Sequence, residues 1–209
     1  MKSCHIVGLG RIRYGEAWEL QKRVAAARKA GGIGDVLLVC EHPHVVTLGR
    51  SGRREHLLAS EAELRERNVE FFPTDRGGDI TYHGPGQIVG YPILDLGAIR
   101  RDVVWYVRML EEALIRATAE FGIAAGRDEG KTGVWVKAGG PDEERSLGSL
   151  PSTALPSQEP SRASRTDGMT TLAGSSEKLA AIGVHISRWV TTHGFAYNAA
   201  TDLRYFDLT

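Results

Sequence analysis

Apolar residues along the chain follow the two-residue spacing of strands in some segments and the 3.6-residue spacing of helices in others. Short apolar or alternating runs predict strands over residues 3–9, 36–41, 45–48, 70–74, 80–82, 88–94, 133–136, 178–186 and 189–198. The run 36–41 (V-L-L-V-C-E) is apolar almost throughout, which is typical of a strand in the interior of a sheet.

Three segments carry helical spacing instead. The first helix begins at Tyr14, and the glycines at positions 31, 32 and 34 end it. Ser60, followed three residues later by Glu63, predicts a capping box at the start of a short second helix. Asp102 is the expected N-cap of the third helix, which Gly122 ends. The predicted core face of the third helix consists of Val103, Val107, Leu110, Leu114, Ala117 and Phe121.

The order of these elements predicts an α+β fold, in which helices flank one side of a mixed, mostly antiparallel sheet. We expect a single domain over residues 1–209. The stretch 138–176 stands apart, because no aromatic residue occurs between Trp135 and Trp189 and four of the eight prolines lie between Pro141 and Pro160. Such a stretch buries too little apolar surface to offset the entropy of ordering it, so we predict a disordered insertion.

The composition argues against several classes of partner. The 26 basic and 26 acidic side chains cancel, which disfavours a nucleic-acid-binding stripe or an anionic membrane. No apolar run approaches the roughly 20 residues that cross a bilayer, and no signal peptide opens the chain. Cys4 and Cys40 form neither a disulfide framework nor a metal spacing, and the apolar run around Cys40 predicts that it is buried. We expect a soluble cytoplasmic protein without metal or cofactor.

The segment with the densest candidate chemistry covers residues 76–87, R-G-G-D-I-T-Y-H-G-P-G-Q. Its glycines permit backbone conformations and close ligand approach that a side chain would block, and Pro85 stiffens its end. Arg76 and His83 can then meet a polar group of a bound molecule. A glycine-rich hairpin turn with solvated polar residues explains the same composition.

A second group of candidates lies near the end of the chain. Lys178 opens the run K-L-A-A-I-G-V-H, and T-T-H-G-F-A-Y-N places His193 beside Gly194. A lysine in a dry pocket can have a lowered pKa or stabilise a thiolate, and small residues beside a histidine suit a narrow apolar channel. The alternatives are a sheet-edge lysine that extends to solvent and an ordinary strand that another backbone approaches at Gly194.

Both groups, together with shorter motifs around them, resemble the octanoyltransferases of lipoate biosynthesis. The motifs R-G-G-D-I-T-Y-H-G-P-G-Q, G-V-W-V, K-L-A-A-I-G-V, H-G-F-A-Y-N and D-L-x-x-F-D-L occur in the family's order and span nearly the whole chain outside the insertion. The resemblance implies the fold of the lipoate and biotin protein ligases. Those ATP-dependent ligases are expected to carry a G-G-G-x-V-x-H-D loop, whereas this chain has R-G-G followed by T-Y-H-G-P-G.

The resemblance also implies a two-step acyl transfer without a cofactor. Octanoyl arrives as a thioester on acyl carrier protein, a cysteine takes it as an acyl-enzyme, and a lysine of a lipoyl-domain protein receives it as an amide. The acceptors would include the glycine cleavage H protein and 2-oxoacid dehydrogenase E2. Lys178 matches the family lysine that lowers the pKa of the thiol. The residues that match the substrate pocket are Arg76, Gly77, Gly78, Asp79, Ile80, Thr81, Tyr82, His83, Ala181, Ile182, Gly183, Gly194, Phe195 and Ala196.

The nucleophile is where the chain departs from the family pattern. In the family the cysteine follows F-D-L in an I-V-P-C-G-type segment, which would lie just beyond Thr209, and neither Cys4 nor Cys40 matches it. The 209-residue chain is therefore expected not to form the acyl-enzyme, either as a fragment of a longer reading frame or as a degenerate copy. Two other classes stay open: an ATP-dependent lipoate or biotin ligase, and a non-catalytic protein that binds acyl groups or lipoyl domains.

Overall fold

The computed structural model describes residues 3–137 and 176–209. Its strands are β1 (Cys4–Arg11), β2 (Asp35–Glu41), β3 (Val45–Leu48), β4 (Glu70–Pro73), β5 (Ile80–His83), β6 (Gln87–Ile93), β7 (Ala125–Gly126), β8 (Val134–Lys137), β9 (Ser176–Ser187) and β10 (Val190–Asn198). The helices are α1 (Tyr14–Lys29), α2 (Glu61–Glu66) and α3 (Val103–Ala119), and 3-10 turns cover Arg54–His56, Leu96–Ala98 and Leu203–Leu208. All predicted strands and helices are present, and β7 is an addition. The predicted insertion lies outside the described residues, except for Ser176.

The described strands form two sheets. The larger has the order β1-β2-β6-β10-β9-β8-β7, and its strands are antiparallel to their neighbours except for the parallel pair β1–β2. The smaller has the order β4-β3-β5, with β3 parallel to β4 and antiparallel to β5. The predicted mixed, mostly antiparallel arrangement is confirmed. The sequence did not predict that the strands divide into two sheets. β5 and β6 flank the glycine-rich turn but belong to different sheets, so they do not form a paired hairpin.

The two long helices pack against opposite faces of the larger sheet. Ala196 of β10 belongs to the apolar cluster under α1, together with Ala17 and Ala25. The next residue, Tyr197, packs in the cluster under α3, where its hydroxyl lies 3.2 Å from Thr118 Oγ1. Successive side chains of a strand point to opposite faces. The expectation that the helices lie on one side of the sheet is therefore wrong.

The helix starts form as predicted. Ser60 Oγ accepts a hydrogen bond from the Glu63 amide at 3.3 Å, and the Glu63 carboxylate accepts one from the Ser60 amide at 2.8 Å, which completes the capping box. Asp102 accepts a hydrogen bond from the Trp105 amide at 2.9 Å at the start of α3.

In the described ranges, no helix combines the length and apolar character needed to cross a bilayer.

The buried face of α3 differs from the prediction. Val103 and Phe121, both assigned to the core, are 45% and 75% exposed. Phe121 lies beyond the end of α3, and the buried face contains Glu111, a fully buried carboxylate that accepts hydrogen bonds from Arg127 at 3.0 Å, Arg108 at 2.7 Å and the backbone amide of residue 133 at 3.0 Å. Apolar spacing cannot reveal a face centred on a carboxylate. The positions that are buried are Tyr106, Glu111, Leu114 and Thr118.

Candidate active site

A cavity of about 320 Å³ borders both sheets. Residues of β5, β6, β9 and β10 line it, as does Tyr14 at the start of α1. Its interior wall is formed by buried residues, among them His83, Val89 and Ala196. Its mouth is formed by the lining residues that are exposed to solvent, which are Gly78, Asp79, Thr132 and Lys178.

The cavity brings both groups of candidate residues together. Lys178 lines it together with Arg76, Gly78, Asp79, Ile80, Thr81, His83, Ala181, Ile182, Gly183, Gly194, Phe195 and Ala196. Gly77 and Tyr82 lie outside the lining. The Gly77 amide donates to the Val184 carbonyl at 2.9 Å, behind the loop. The Tyr82 side chain points to the opposite face of β5 from its immediate neighbours Thr81 and His83. Its ring stacks on that of Tyr205, with ring centroids 5.1 Å apart.

Glycines let the cavity walls approach backbone to backbone. A Cβ atom on Gly183 would lie 2.8 Å from the Gly77 carbonyl oxygen, so the glycine-rich loop rests directly on β9. A Cβ atom on Gly194 would lie 2.1 Å from the Gly90 carbonyl oxygen and 2.5 Å from Pro92 Cδ. Only a residue without a side chain fits either position. The close backbone contact considered for Gly194 is confirmed.

Arg76 places a buried cation in the cavity wall. Its guanidinium donates to the Thr47 carbonyl at 2.7 Å, to Thr47 Oγ1 at 3.0 Å and to the Gly77 carbonyl at 3.0 Å. Within the described residues it has no carboxylate closer than 4.0 Å. Burial lowers the pKa of Arg76 below its ordinary value, although the group remains a cation at neutral pH. The side chain therefore ties the glycine-rich loop to β3 and keeps a positive charge beside the cavity.

His83 is a buried, neutral imidazole. Its Nδ1 lies 2.7 Å from Gln87 Oε1 and donates to it, since the Gln87 amide nitrogen donates elsewhere. Nε2 is then an acceptor, 3.4 Å from Thr47 Oγ1. Burial, reinforced by the nearby His42, lowers the pKa of His83 to about 3. His83 thus carries no charge at neutral pH, and both of its ring nitrogens have a partner in the protein.

His42 and Tyr91 form a second buried polar pair against the cavity. His42 Nδ1 donates to the Ile12 carbonyl at 2.7 Å, which leaves Nε2 to accept from the Tyr91 hydroxyl at 2.6 Å. Burial lowers the pKa of His42 and raises that of Tyr91. Both groups are neutral, and the hydrogen bond fixes the orientation of Tyr91 in the cavity wall.

His193 is held in the cavity wall by a carboxylate. Its Nε2 lies 2.7 Å from Asp75 Oδ1, and its amide donates to Gln21 Oε1 at 2.8 Å. Burial lowers the pKa of His193, while the hydrogen bond to Asp75 opposes that change. Its backbone has φ 54°, in the left-handed region that non-glycine residues rarely adopt. A strained, oriented imidazole beside a cavity is an arrangement that functional sites retain.

Lys178 lies at the mouth rather than in a closed apolar pocket. The residue is exposed overall, and its Nζ lies 4.8 Å from the centroid of the Trp135 ring. Lys131 Nζ lies 4.7 Å from the same ring centroid. Local desolvation lowers the pKa of Lys178, and the positive charge of Lys131 lowers it further. A cation with a lowered pKa can pass a proton more readily than an ordinary lysine.

The two cysteines of the chain lie away from the cavity lining. Cys4 is exposed on the edge strand β1. Cys40 is buried as predicted, and burial raises the pKa of its thiol to about 12, so it is an apolar core residue rather than a nucleophile. Among the residues that the structure describes, no three side chains of the metal-binding types converge.

Five lining residues were not among those matched to the substrate pocket, although His193 was noted beside Gly194: Tyr14, Val89, Tyr91, Thr132 and His193. A signal existed for three of them. Val89 and Tyr91 alternate on the strand after the glycine-rich turn, and His193 precedes Gly194. Tyr14 and Thr132 come from distant segments, and nothing in their local sequence indicates a place beside the turn.

Both the sequence and the fold place the chain in a known family of enzymes. The chain belongs to the lipoyl protein ligase A/B catalytic domain family, whose model matches residues 13–209. Two curated relatives are octanoyltransferases. That of Solibacter usitatus is 48% identical over 206 residues, covering 99% of this chain and 76% of the relative. That of Acidobacterium capsulatum is 46% identical over 211 residues, covering 98% and 73%.

Solved structures share the fold. A bipartite lipoate protein ligase from Thermoplasma acidophilum has a TM-score of 0.67 at 13% identity, covering 100% of this chain and 66% of that one. Lipoate-protein ligase A bound with ATP has a TM-score of 0.63 at 14% identity, covering 99% and 70%. At such low identity the likeness concerns the fold alone. The fold predicted from the family resemblance is confirmed.

Proposed function

We propose that this protein is an octanoyltransferase of protein lipoylation. It takes octanoyl from a thioester on acyl carrier protein and delivers it to a lysine of a lipoyl-domain protein, such as the glycine cleavage H protein or 2-oxoacid dehydrogenase E2. The proposal extends to a cytoplasmic setting, because a thiol-dependent route needs reduced cysteines. The relatives named octanoyltransferase support the reaction.

The observation that carries the proposal is that Lys178 and four apolar side chains line the same cavity. Val89, Ile182, Phe195 and Ala196 offer the octanoyl chain an apolar environment. Each buried methylene contributes roughly 0.8 kcal/mol, so a fully buried octanoyl tail contributes about 5 kcal/mol. The thioester end would then lie at the mouth, beside the ammonium group.

We assign distinct roles to the two ends of the cavity. Arg76, Gly183 and Gly194 shape the interior, Gly78 borders the mouth, and Gly77 supports the interior from behind through its bond to β9. Asp79 borders the mouth, and the remaining candidates of β5 and β9 complete or buttress the cavity walls: Ile80, Thr81, Tyr82, His83 and Ala181. Lys178 lowers the pKa of the nucleophilic thiol and shuttles its proton.

The thiol itself is proposed to come from outside these 209 residues. Cys4 is remote and exposed, and the thiol of Cys40 is buried with a pKa raised to about 12. We therefore expect the 209-residue chain to bind octanoyl thioesters without turnover. The same chain extended by a V-P-C-G segment after Thr209 is expected to form the acyl-enzyme.

The test compares the two proteins with two donors and one acceptor. Each is incubated with apo glycine cleavage H protein and either octanoyl carrier protein without ATP, or free octanoate with ATP. Intact mass of the acceptor reports the transfer. We expect modification by the extended chain from the carrier thioester without ATP. Modification only with ATP would identify a ligase, and binding without turnover by the extended chain would identify a non-catalytic binding protein.

A further inference from the structure

The motif G-V-W-V at residues 133–136 lies beside Lys178 and has no part in the roles assigned so far. Its last three residues open β8, where Trp135 pairs with Lys178 of β9. Trp135 is only 8% exposed, and Lys178 Nζ lies 4.8 Å from its ring centroid. That distance is within the range of a cation–π contact, in which the electron-rich face of the ring attracts the ammonium group.

A β-bulge brings this pair together. Val134 pairs with Ala180, and an unbroken antiparallel register would then place Lys178 opposite Val136. The register shifts between Val134 and Trp135, so Lys178 is opposite Trp135 instead. Bulges redirect side chains and are frequent beside active sites. This irregularity of the sheet therefore seats the lysine on the indole ring.

Gly133 permits the close approach of the motif to β9. Its φ is 129°, which residues with a side chain rarely adopt, and a Cβ atom here would lie 2.5 Å from the Ala180 carbonyl oxygen. Its amide donates to the buried Glu111 carboxylate at 3.0 Å, which ties the motif to α3. The backbone of one residue thus fixes where β8, and with it Trp135, meets the sheet.

The surroundings of Trp135 use the face of the ring rather than its N–H group. Trp135 Nε1 is buried without a hydrogen-bond partner in the described residues, although buried indoles usually have one. Two ammonium groups contact the ring instead. Lys131 Nζ lies 4.7 Å from the ring centroid and is also paired with Asp128 at 2.8 Å. Lys178 has no carboxylate within 4.0 Å in the described part of the chain, so the ring is the partner that orders its ammonium.

We propose that Trp135 is a positioning residue for octanoyl transfer, which holds the Lys178 ammonium at the cavity mouth. The inference rests on the proposed function, in which Lys178 acts on the nucleophilic thiol. The four-carbon stem of a lysine is flexible, and contact with the indole face limits the positions of its charge. Trp135 lies outside the cavity lining, so its contribution passes through Lys178.

The first experiment measures the contact without catalysis. Carbon NMR titration of the lysine side chains gives the pKa of Lys178 in protein made with ordinary or fluorinated tryptophan. Fluorine withdraws electrons from the ring with little change of shape, so the ammonium form is less stabilised and the pKa should fall. The neighbouring charges are the same in both samples: Lys131 with its partner Asp128, and Asp79 at the mouth.

The control for this titration is Trp135→Phe, in which fluorination reaches only the other three tryptophans. There the pKa of Lys178 should not respond to fluorination. A pKa that ignores fluorination of the chain with Trp135 in place would overturn the proposal.

The second experiment asks whether Trp135 acts through the lysine. Octanoyl transfer by the cysteine-bearing form is measured for Trp135→Leu, Trp135→Phe, Lys178→Ala and the double variant Trp135→Leu/Lys178→Ala. The matched control is Trp105→Leu, which removes an indole of α3 that lies 5.5 Å from the Arg100 guanidinium and outside the cavity lining. The fluorinated enzyme gives the same comparison without a change of shape.

We expect kcat to fall roughly tenfold in Trp135→Leu and less in Trp135→Phe, with little change in KM for the octanoyl thioester. In the Lys178→Ala background Trp135→Leu should have no further effect, because the group that it positions is gone. An equal loss with and without Lys178 would show that Trp135 acts through the fold, which would overturn the proposal. A cysteine-bearing wild type that transfers no octanoyl would instead overturn the proposed function, and the titration does not depend on that result.

Discussion

The interior and the mouth of the cavity differ in how their polar groups are held. In the interior, Arg76, His83 and His193 are buried, and each is hydrogen-bonded to a side chain of the protein. At the mouth, Lys178 is exposed and rests on the Trp135 ring without an acidic partner in the described residues. The interior is therefore suited to fixing a substrate's shape and position. The mouth holds Lys178, whose ammonium group can lose a proton and regain it.

The largest effect should come from removing the charge at the mouth. Lys178→Ala in a cysteine-bearing form of the enzyme should lower octanoyl transfer by about 10³-fold, because proton transfer and thiolate stabilisation are lost together. Its unfolding free energy should change by less than about 0.5 kcal/mol, since the side chain is exposed. Lys22→Ala is the control, because Lys22 lies 4.9 Å over the Trp18 ring on α1. Wild-type turnover by Lys178→Ala would remove the assigned role.

In the interior, the largest effect should be on stability. Gly194→Ala places a methyl group 2.1 Å from the Gly90 carbonyl oxygen, and neither backbone can retreat without breaking β6–β10 pairing. We expect a loss of about 3 kcal/mol in urea unfolding. Gly8→Ala on the edge strand meets nothing within 4 Å and serves as the control. Equal midpoints for the two variants would mean that the backbone contact is not tight.

Acid should destabilise the interior through His83. Its pKa is lowered to about 3 in the folded state, so between pH 6.5 and 3 the unfolded chain binds the extra proton. The contribution of His83 to the unfolding free energy is therefore complete above about pH 6.5. It falls as the pH drops, by about 1.4 kcal/mol per pH unit once the pH is well below the ordinary histidine pKa. Unfolding free energies at pH 7 and 4.5 should differ less in His83→Gln than in wild type. A slope in His83→Gln equal to that of wild type would contradict burial of a neutral imidazole.

The smallest expected effect concerns the tuning of Lys178. Lys131→Gln removes the like charge on the Trp135 ring, so the pKa of Lys178 should rise towards its ordinary value. Titration of the lysine side-chain resonances by NMR measures this shift directly. Lys22→Gln removes a lysine outside the cavity lining and should leave the Lys178 titration unchanged. A pKa that falls, or stays constant, in Lys131→Gln would show that the two ammonium groups do not interact.

The backbone parts of the cavity were predictable from the sequence, whereas most of its buried polar network was not. Gly183 and Gly194 stand in motifs that match the substrate pocket of the family, so both could be assigned to the walls from the residues around them. The pairs His42–Tyr91 and Asp75–His193 join residues far apart in the chain, and each member alone is an ordinary polar residue. The local sequence places Tyr91 and His193 beside the glycine-rich motifs, but it does not reveal the partners that hold them.

Helix faces show the same limit. The capping box at Ser60 and the cap at Asp102 follow from a few adjacent residues and formed as expected. The predicted buried face of α3 was wrong because it omitted Glu111. The buried carboxylate of Glu111 is stabilised by Arg127, which lies beyond the end of the helix. Apolar spacing describes transfer from water, and it carries no information about a charge that the fold itself compensates.

The central claim is that the octanoyl chain lies in the cavity interior with its thioester at the mouth. Intermolecular nuclear Overhauser effects from the terminal methyl of bound octanoyl pantetheine test this most directly. We predict contacts from that methyl to Val89, Phe195 or Ala196. Contacts confined to the exposed apolar residues Val104 and Phe121 of the α3 region, with none inside the cavity, would contradict the account.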